Sequence, residues 1–307
     1  MFAYAVRRLI VAVPTLLVIV TIAFFLMRAA PGGPFDSERV LPPAIEKNVL
    51  AHYNLDLPLW QQYANYVGGL LQGDLGPSFR VRDFTVTELI AAGFPASLQI
   101  GGMAILLAVA VGISLGAFAA LRQNSGVDYV VMGVAMTGIA VPNFVMAPLL
   151  TLVFGVYLSL LPVAGWGDGA LANKVLPVVA LALPQIAYIS RLTRGSMVEV
   201  MNTNYVRTAR AKGLRERLVV VRHSLRGALL PVISYLGPAT AAVVTGSVVI
   251  ESIFGIPGIG RYFIEGALNR DYTLVMGVMI FYAVLIILLN LLVDLLYAVL
   301  DPKVRYA

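Results

Sequence analysis

The chain contains no cysteine and only two histidines among its 307 residues. The absence of cysteine excludes a disulfide framework and any metal site built on thiolates. The two histidines, His52 and His223, leave little material for a histidine-based metal site. Disulfide-stapled secreted domains and thiolate metalloproteins are therefore excluded from the start.

Charged residues are also scarce. Asp, Glu, Lys and Arg make up 12% of the chain, whereas soluble proteins contain about 25%. The hydrophobic residues amount to 59%, and the mean hydropathy is +0.86. A soluble fold of this length buries too little surface to hide so many apolar side chains. The composition therefore predicts a polytopic membrane protein.

Long apolar runs divide the sequence into spans. The first run contains 19 uncharged residues, which as a helix match a hydrocarbon core of about 30 Å. The third run contains Pro142 and Pro148, which predict a break or kink near its middle because proline removes a backbone donor. We expect an all-α integral membrane protein with six transmembrane helices. The six runs are Leu9–Met27, Ala96–Leu121, Tyr129–Leu161, Val175–Ser190, Leu229–Ile250 and Thr273–Leu300.

The distribution of basic residues predicts the orientation. With six spans and the N-terminus inside, the cytoplasmic segments hold 14 of the 22 Lys and Arg residues, as the positive-inside rule requires. The rule also accounts for the pI near 9.6 without nucleic-acid binding. The expected organisation is a cytoplasmic N-terminus at 1–8, a first span at 9–29, a periplasmic segment at 30–95, a core at 96–300 with a cytoplasmic loop at 191–228, and a cytoplasmic C-terminus at 301–307.

Motifs that would indicate an enzyme lack the context they need. Gly112-Ile-Ser-Leu-Gly116 fits the pattern of a serine nucleophile, but it lies inside an apolar span, where Gly112 and Gly116 instead predict close helix packing. None of the four lysines follows a glycine, so the chain has no phosphate-binding loop of its own. Asp294 is the one deep acidic residue of a span, and we expect it to pair with an arginine of the inner loop or terminus rather than to relay protons.

The inner loop combines helix-forming residues, arginines and small residues. The stretch Tyr205–Leu214 reads Y-V-R-T-A-R-A-K-G-L, and its small residues suit close contact with a partner that transmits force. A basic helix lying on anionic lipid headgroups is the alternative interpretation of the same residues.

This stretch resembles the EAA signature of ABC-importer permeases, E-A-A-x-x-x-G, with Arg207, Thr208, Ala209 and Gly213 at the four defined positions. Arginine replaces the leading glutamate, and Leu225-Arg226 stands where the signature has Leu-Pro. Both departures are typical of the peptide-importer branch. The resemblance covers the whole chain and includes Arg7-Arg8, Pro14-Thr15, Ala30-Pro31-Gly32, Gly73-Asp-Leu-Gly76, Arg194-Gly-Ser-Met197, Arg222-His-Ser-Leu225, Phe254-Gly-Ile-Pro-Gly-Ile-Gly260, Asn269-Arg-Asp-Tyr272 and Leu300-Asp-Pro-Lys-Val-Arg305.

The resemblance implies a permease with the type I ABC importer fold in the bacterial cytoplasmic membrane, and a transporter subunit rather than an enzyme. It implies a C-type second permease, two ATPase subunits that bind ATP and Mg, and a periplasmic or lipid-anchored binding protein that delivers oligopeptides. No cofactor or metal is expected in this chain. Dipeptides, nickel chelates and glutathione remain alternative substrates, and the binding protein largely decides between them.

Three groups of residues are candidates for function. For coupling to an ATPase they are Tyr205, Arg207, Thr208, Ala209, Gly213 and Leu214. For the translocation path they are Pro142, Asn143, Tyr235, Thr240, Thr245, Ser247 and Glu251, for each of which ordinary interhelical hydrogen bonding is the alternative. For an outer turn or gate they are Phe254, Pro257, Gly258 and Gly260, since three glycines and a proline preclude a regular helix.

Two features of the periplasmic side carry further expectations. Residues 35–84 are placed to meet the binding protein or to cap the first two spans. Glu251 is expected to pair with Arg261 or with a peptide amine.

Two other functional classes stay open, an ion-coupled transporter that works alone and an intramembrane serine hydrolase that uses Ser114.

Overall fold

The structure, a computed structural model, describes residues 2–29, 47–48, 50–51, 53–81 and 83–300. Apart from one isolated bridge between Pro77 and Thr85, all regular structure in those ranges is helical. The expected motif Ala30-Pro31-Gly32, residues 30–46 of the periplasmic segment and the terminus at 301–307 lie outside the described residues. The predicted all-α class is confirmed.

Twelve helices of the described residues are numbered in chain order. They are α1 (Phe2–Ala29), α2 (Leu59–Leu71), α3 (Val86–Leu121), α4 (Gly126–Ala140), α5 (Asn143–Leu150, continued as a π-helix over Thr151–Tyr157), α6 (Leu171–Met201), α7 (Asn204–Ala211), α8 (Glu216–Leu218, continued through a π-helix over Val219–Ser224 to Leu225–Ala228), α9 (Leu230–Gly246), α10 (Val248–Phe254), α11 (Ile259–Leu268) and α12 (Tyr272–Leu300). A short 3-10 helix over Gly167–Gly169 lies between α5 and α6.

Four of these helices are long and apolar enough to cross a membrane alone, namely α1, α3, α6 and α12. Two bent pairs complete the set. Helices α4 and α5 meet at 106°, and α8 and α9 meet at 51°. When each bent pair is counted as one span, the number of spans is the predicted six.

The second span begins earlier than the sequence suggested. Helix α3 starts at Val86 rather than at Ala96, because Thr85 and Glu88 form a capping box. The amide N of Thr85 donates to Oε2 of Glu88 over 2.8 Å, and the amide N of Glu88 donates to Oγ1 of Thr85 over 3.2 Å. Helix α3 therefore extends beyond the apolar run at its N-terminal end and contains Pro95 in its interior. The division between the periplasmic segment and the core at residue 95 stays a prediction.

Helices α3 and α6 form the most extensive helix pair of the described structure. A β-carbon on Gly112 would lie 2.8 Å from Cβ of Ile189, and one on Gly116 would collide with the carbonyl of Ser190. The predicted small-residue packing face is therefore confirmed, and α6 is the helix it packs against. Ser114 Oγ donates to the carbonyl of Ala110 in its own helix over 2.7 Å.

The third span is broken where its proline predicted. Helix α4 ends at Ala140, Val141 and Pro142 are extended, and α5 starts at Asn143. Pro148 lies inside α5, and the chain passes into a π-helix at Thr151. Proline cannot donate to the preceding turn, so the hydrogen-bond pattern shifts after it.

Contacts with α6 show how the bent pair runs. Asp128 in the first turn of α4 contacts Arg194, which lies in the last third of α6. Trp166, which follows α5, lies against Lys174 in the first turn of α6. Lys174 and Arg194 are separated by about 30 Å of helix. The bent pair therefore extends along the same length as the straight span α6.

Helices α1 and α12 also pack together. Arg8 of α1 forms an ion pair with Asp294 of α12. The expected pairing of Asp294 with an arginine of the inner loop or terminus is confirmed, and that arginine is Arg8.

Candidate coupling and translocation sites

The loop after α6 contains a short amphipathic helix. Its inner face is formed by Val206 and Ala209, which pack against Val219 of α8 and Val200 of α6. Tyr205, Arg207 and Thr208 are exposed on its other faces. The burial of Val206 and Ala209 fixes α7 on its own chain and leaves the polar side available to a partner.

Gly213 ends the exposed segment with a left-handed turn. Its φ is +73°, and a β-carbon there would meet nothing within 4 Å. L-residues rarely adopt this conformation, so glycine is the residue that permits it at low cost. Beyond the turn, the guanidinium of Arg210 donates to Glu216 over 2.7 Å and joins α7 to α8.

Leu214 lies on the rim of a cavity at this turn. The cavity has a volume of about 630 Å³ and is lined by Gly213, Leu214, Arg215, Arg217, Leu218 and Val221. Its lining combines aliphatic side chains with two arginines. Such a surface suits an apolar side chain flanked by carboxylates.

Five of the six residues predicted for coupling are exposed, and Ala209 is the exception. Ala209 is only 6% exposed and faces Val206 and Val219. Its small side chain serves the packing of α7 on α8, and its role in coupling stays a prediction. The sequence also gave no reason to single out Gly227, where a β-carbon would lie 3.0 Å from the hydroxyl of Tyr205.

The polar residues predicted for the path differ in their partners. Thr240 Oγ1 donates to the carbonyl of Leu236 over 2.7 Å, and Thr245 Oγ1 donates to that of Ala241 over 2.8 Å. Both bonds lie within α9, as is usual for threonine in apolar helices. Tyr235 instead bonds across helices, from its hydroxyl to Oε1 of Gln185 on α6 over 2.8 Å.

Pro142 and Asn143 stand at the break between α4 and α5. Pro142 is exposed and occupies the N-cap position of α5, and Asn143 is partly buried as its first residue. Backbone carbonyls freed at such a break must find partners in a cavity or a neighbouring helix.

The predicted outer turn follows α10. The helix ends at Phe254, Gly255 adopts a left-handed conformation with φ +62°, and helix α11 begins at Ile259. The expectation that this run interrupts the helix is confirmed. Pro257 is exposed, whereas Gly258 and Gly260 are buried.

Glu251 holds this turn from inside. Its carboxylate accepts hydrogen bonds from Ser247 Oγ over 2.6 Å and from the amide of Gly260 over 2.8 Å. A β-carbon on Gly258 would collide with the same carboxylate and lie 2.6 Å from Oγ of Ser97. The glycines therefore allow the backbone to close around a buried carboxylate.

The expected ion pair between Glu251 and Arg261 was wrong. Glu251 is fully buried, and Arg261 pairs with Glu265 one turn along α11 at 2.7 Å. Arg261 is more than half exposed, because its position in the first turn of α11 directs it away from the buried carboxylate.

Two buried polar groups near the ends of the spans were not predicted from sequence. Lys174 Nζ donates to Oε1 of Gln99 over 2.8 Å and lies 4.7 Å from the ring centroid of Trp166. Asp271 is fully buried and accepts a hydrogen bond from Ser78 and another from the amide of Leu274 in the first turn of α12. Ser78 and Asp271 are 193 residues apart in sequence, so no local signal relates them.

Comparison with known proteins agrees with this arrangement. Residues 112–306 match the family described as binding-protein-dependent transport system inner membrane component, and residues 1–82 match its N-terminal family. The oligopeptide transport system permease protein OppB of Salmonella typhimurium is 54% identical over 306 residues, which cover 100% of both chains. The dipeptide transport system permease protein DppB of Bacillus subtilis is 46% identical and covers 99% of this chain and 98% of its own.

A solved structure supports the fold. The MetNI methionine ABC transporter in inward-facing conformations aligns with a TM-score of 0.60 at 15% identity, over 70% of this chain and 97% of that chain. The chain therefore has the type I permease fold of ABC importers, and with its apolar helices it is a multi-pass inner-membrane protein.

Proposed function

The chain belongs to the family of binding-protein-dependent transport system inner membrane components, and from that premise we propose that it is a permease subunit of an ATP-driven oligopeptide importer. The observation that carries the proposal is the full-length likeness to oligopeptide permeases at 54% identity. A C-type second permease completes the translocation path, and a periplasmic or lipid-anchored binding protein delivers the peptide.

The exposed side of α7 docks on an ATPase subunit. Tyr205, Arg207 and Thr208 present a basic and polar surface, and Leu214 offers an apolar contact beside the turn at Gly213. Closure of two ATPase subunits then moves α6 and α8, against which α7 is packed. ATP and Mg bind to those ATPase subunits, and this chain contributes no catalytic site. The loop at 191–228 and both termini face the cytoplasm.

A dipeptide permease is the second candidate, favoured by the relative in Bacillus subtilis at 46% identity. The two functions differ in the length of the transported peptide. Uptake of a series of peptides of two to six residues by the assembled complex distinguishes them.

The experiment that tests the proposal starts from the tagged protein in its native membrane. Gentle extraction and mass spectrometry should recover a second permease and one or two ATPases, and the reconstituted complex should take up labelled peptides only with ATP. Recovery of the chain alone, in a form that transports without ATP but requires an ion gradient, would contradict the proposal.

A further inference from the structure

Four side chains form a connected cluster between α6 and α9. The hydroxyl of Tyr235 donates to Gln185, and its ring stacks on Tyr188 with centroids 5.5 Å apart and an interplanar angle of 24°. The guanidinium carbon of Arg191 lies 4.9 Å from the ring centroid of Tyr188. Gln185, Tyr188 and Arg191 are spaced three residues apart, so they share one side of α6.

The cluster is open on the side of Tyr188 and Arg191. Tyr188 is 36% exposed, and Arg191 is exposed too. Tyr235 and Gln185 are partly buried behind them. An exposed tyrosine ring that stacks on a partly buried one and carries a cation on its face, near the end of a membrane span, offers both an apolar surface and a positive charge to a ligand.

Arg191 differs from Arg194 and Arg210 in charge compensation. Arg194 pairs with Asp128, and Arg210 pairs with Glu216. In the part of the chain that the structure describes, no carboxylate forms a salt bridge with Arg191. The π-face of Tyr188 orients the guanidinium without neutralising it, which leaves its fork of donors for an anion.

We propose that Arg191, with Tyr188 and Tyr235, is a binding site for the free C-terminal carboxylate of a peptide in transit. This inference rests on the proposed function. Arg191 pairs with the carboxylate, and the stacked tyrosine rings contact the last side chain of the peptide. Tyr235 was a candidate for the translocation path from sequence alone. Its contacts with Gln185 and Tyr188 extend the candidate path surface from α9 to α6.

The test uses the complete complex in liposomes and two probes, Ala-Ala-Phe with a free carboxylate and the same tripeptide as its C-terminal amide. The measured quantity is the ATP-dependent uptake rate of the free-carboxylate peptide divided by that of the amide, and this ratio for each variant is divided by the ratio for the unaltered protein. The binding protein is the same in the variant and the unaltered complex, so its own preference between the two peptides cancels. Arg191→Gln should lower this ratio about tenfold, because a charge-assisted pair is lost, and Arg191→Lys should lower it less.

Arg122→Gln is the matched control. Arg122 is also exposed, and its guanidinium carbon lies 4.8 Å from the ring centroid of Phe118, but it stands at the end of α3, away from Tyr235. This variant should leave the ratio unchanged. Copurification of the partner subunits shows that each variant assembles.

Three results would overturn the inference. An unchanged ratio in Arg191→Gln, with both uptake rates also unchanged, means that the carboxylate is not recognised here. An equal loss for both peptides means that Arg191 has a structural role. A loss that follows the fraction of anionic lipid, and not the peptide terminus, means that Arg191 binds a headgroup. Absence of all peptide uptake by the unaltered complex contradicts the proposed function instead.

Discussion

Arg194 of α6 donates two hydrogen bonds to the carboxylate of Asp128 in the first turn of α4, each over 2.6 Å. Asp128 is 1% exposed, and it also accepts from the amide of Asn124 over 2.9 Å. One carboxylate therefore fixes the turn before α4 and joins α4 to α6. The arginine belongs to the Arg194-Gly-Ser-Met197 motif, whose role could not be predicted from sequence.

Replacing this carboxylate should loosen the third span. We expect Asp128→Asn to destabilise the protein by about 1.5–3 kcal/mol, since it removes a charge-assisted bidentate pair and leaves Arg194 without a counter-charge. Thermal unfolding in detergent measures the effect. Glu199→Gln, at an exposed position of the same helix, is the control. Equal midpoints for the Asp128 variant and the unaltered protein would contradict the prediction.

The glycine face of α3 predicts a difference between two alanine substitutions. Gly116→Ala should destabilise the protein, because the new methyl group collides with the carbonyl of Ser190. Gly102→Ala in the same helix should be neutral or slightly stabilising, since a β-carbon there meets nothing within 4 Å. Unfolding midpoints of the two variants in one detergent give the comparison. An unfolding midpoint of the Gly102 variant that is lowered as far as that of the Gly116 variant would argue against packing as the cause.

The left-handed turn at Gly213 predicts which substitutions uncouple transport. Gly213→Val should strongly reduce peptide-stimulated ATP hydrolysis, because a β-branched residue at φ +73° costs roughly 1–2 kcal/mol and displaces the turn. Gly213→Asn has a side chain of similar size but tolerates this conformation, so it should keep most of the activity. The rate of peptide-stimulated ATP hydrolysis by the reconstituted complex is measured for both variants. Equal losses in both variants would indicate that bulk at the interface, and not backbone conformation, is what matters.

Ala209 and its neighbour Thr208 should respond oppositely to a negative charge. Ala209→Asp places an unpaired carboxylate against Val206 and Val219 and should release α7 from α8. Thr208→Asp lies on the exposed side and should leave α7 in place. Limited proteolysis in the loop at 191–228 reports the release. Rapid cleavage of the Thr208 variant, or protection of the Ala209 variant, would contradict the assignment of the two faces.

The buried carboxylate of Glu251 predicts that the outer turn tolerates no side chain at Gly258. Gly258→Ala should lower peptide uptake several-fold, because its methyl group collides with that carboxylate and crowds Ser97. Gly68→Ala on α2 is the matched control, since its β-carbon meets nothing within 4 Å. Uptake by the reconstituted complex is the readout. Full activity of Gly258→Ala would remove the turn from the transport mechanism.

Local chemistry made part of this structure predictable. Apolar runs marked the spans, Pro142 marked the break between α4 and α5, and the glycines after Phe254 marked the turn. Each of these features depends on residues adjacent in sequence. The start of α3 was missed because its capping box at Thr85 lies in a polar stretch that looked like loop.

Tertiary pairing decided the features that were not predicted. The inward side of Ala209 depends on Val219, which belongs to the next helix, and the partner of Lys174 is Gln99, 75 residues away. The cluster around Arg191 needs Tyr235 from another span. A single sequence carries no signal for such pairs, so the candidate path residues were chosen by their polarity alone. Only the structure shows which of them bond within their own helix and which bond to another helix.

The ion pair between Arg8 and Asp294 has a topological consequence. It brings the start of α1 and the far part of α12 to the same level, so the intervening chain crosses the membrane an even number of times. Four or six crossings satisfy this parity, and five do not, so the two bent pairs α4–α5 and α8–α9 either both cross or both turn back. Because α4–α5 runs along the length of α6, this pair crosses the membrane with α6. The even number of crossings then requires that α8–α9 cross as well. The beginning of the first helix and the end part of the last helix are thus joined by an ion pair on the same side of the membrane.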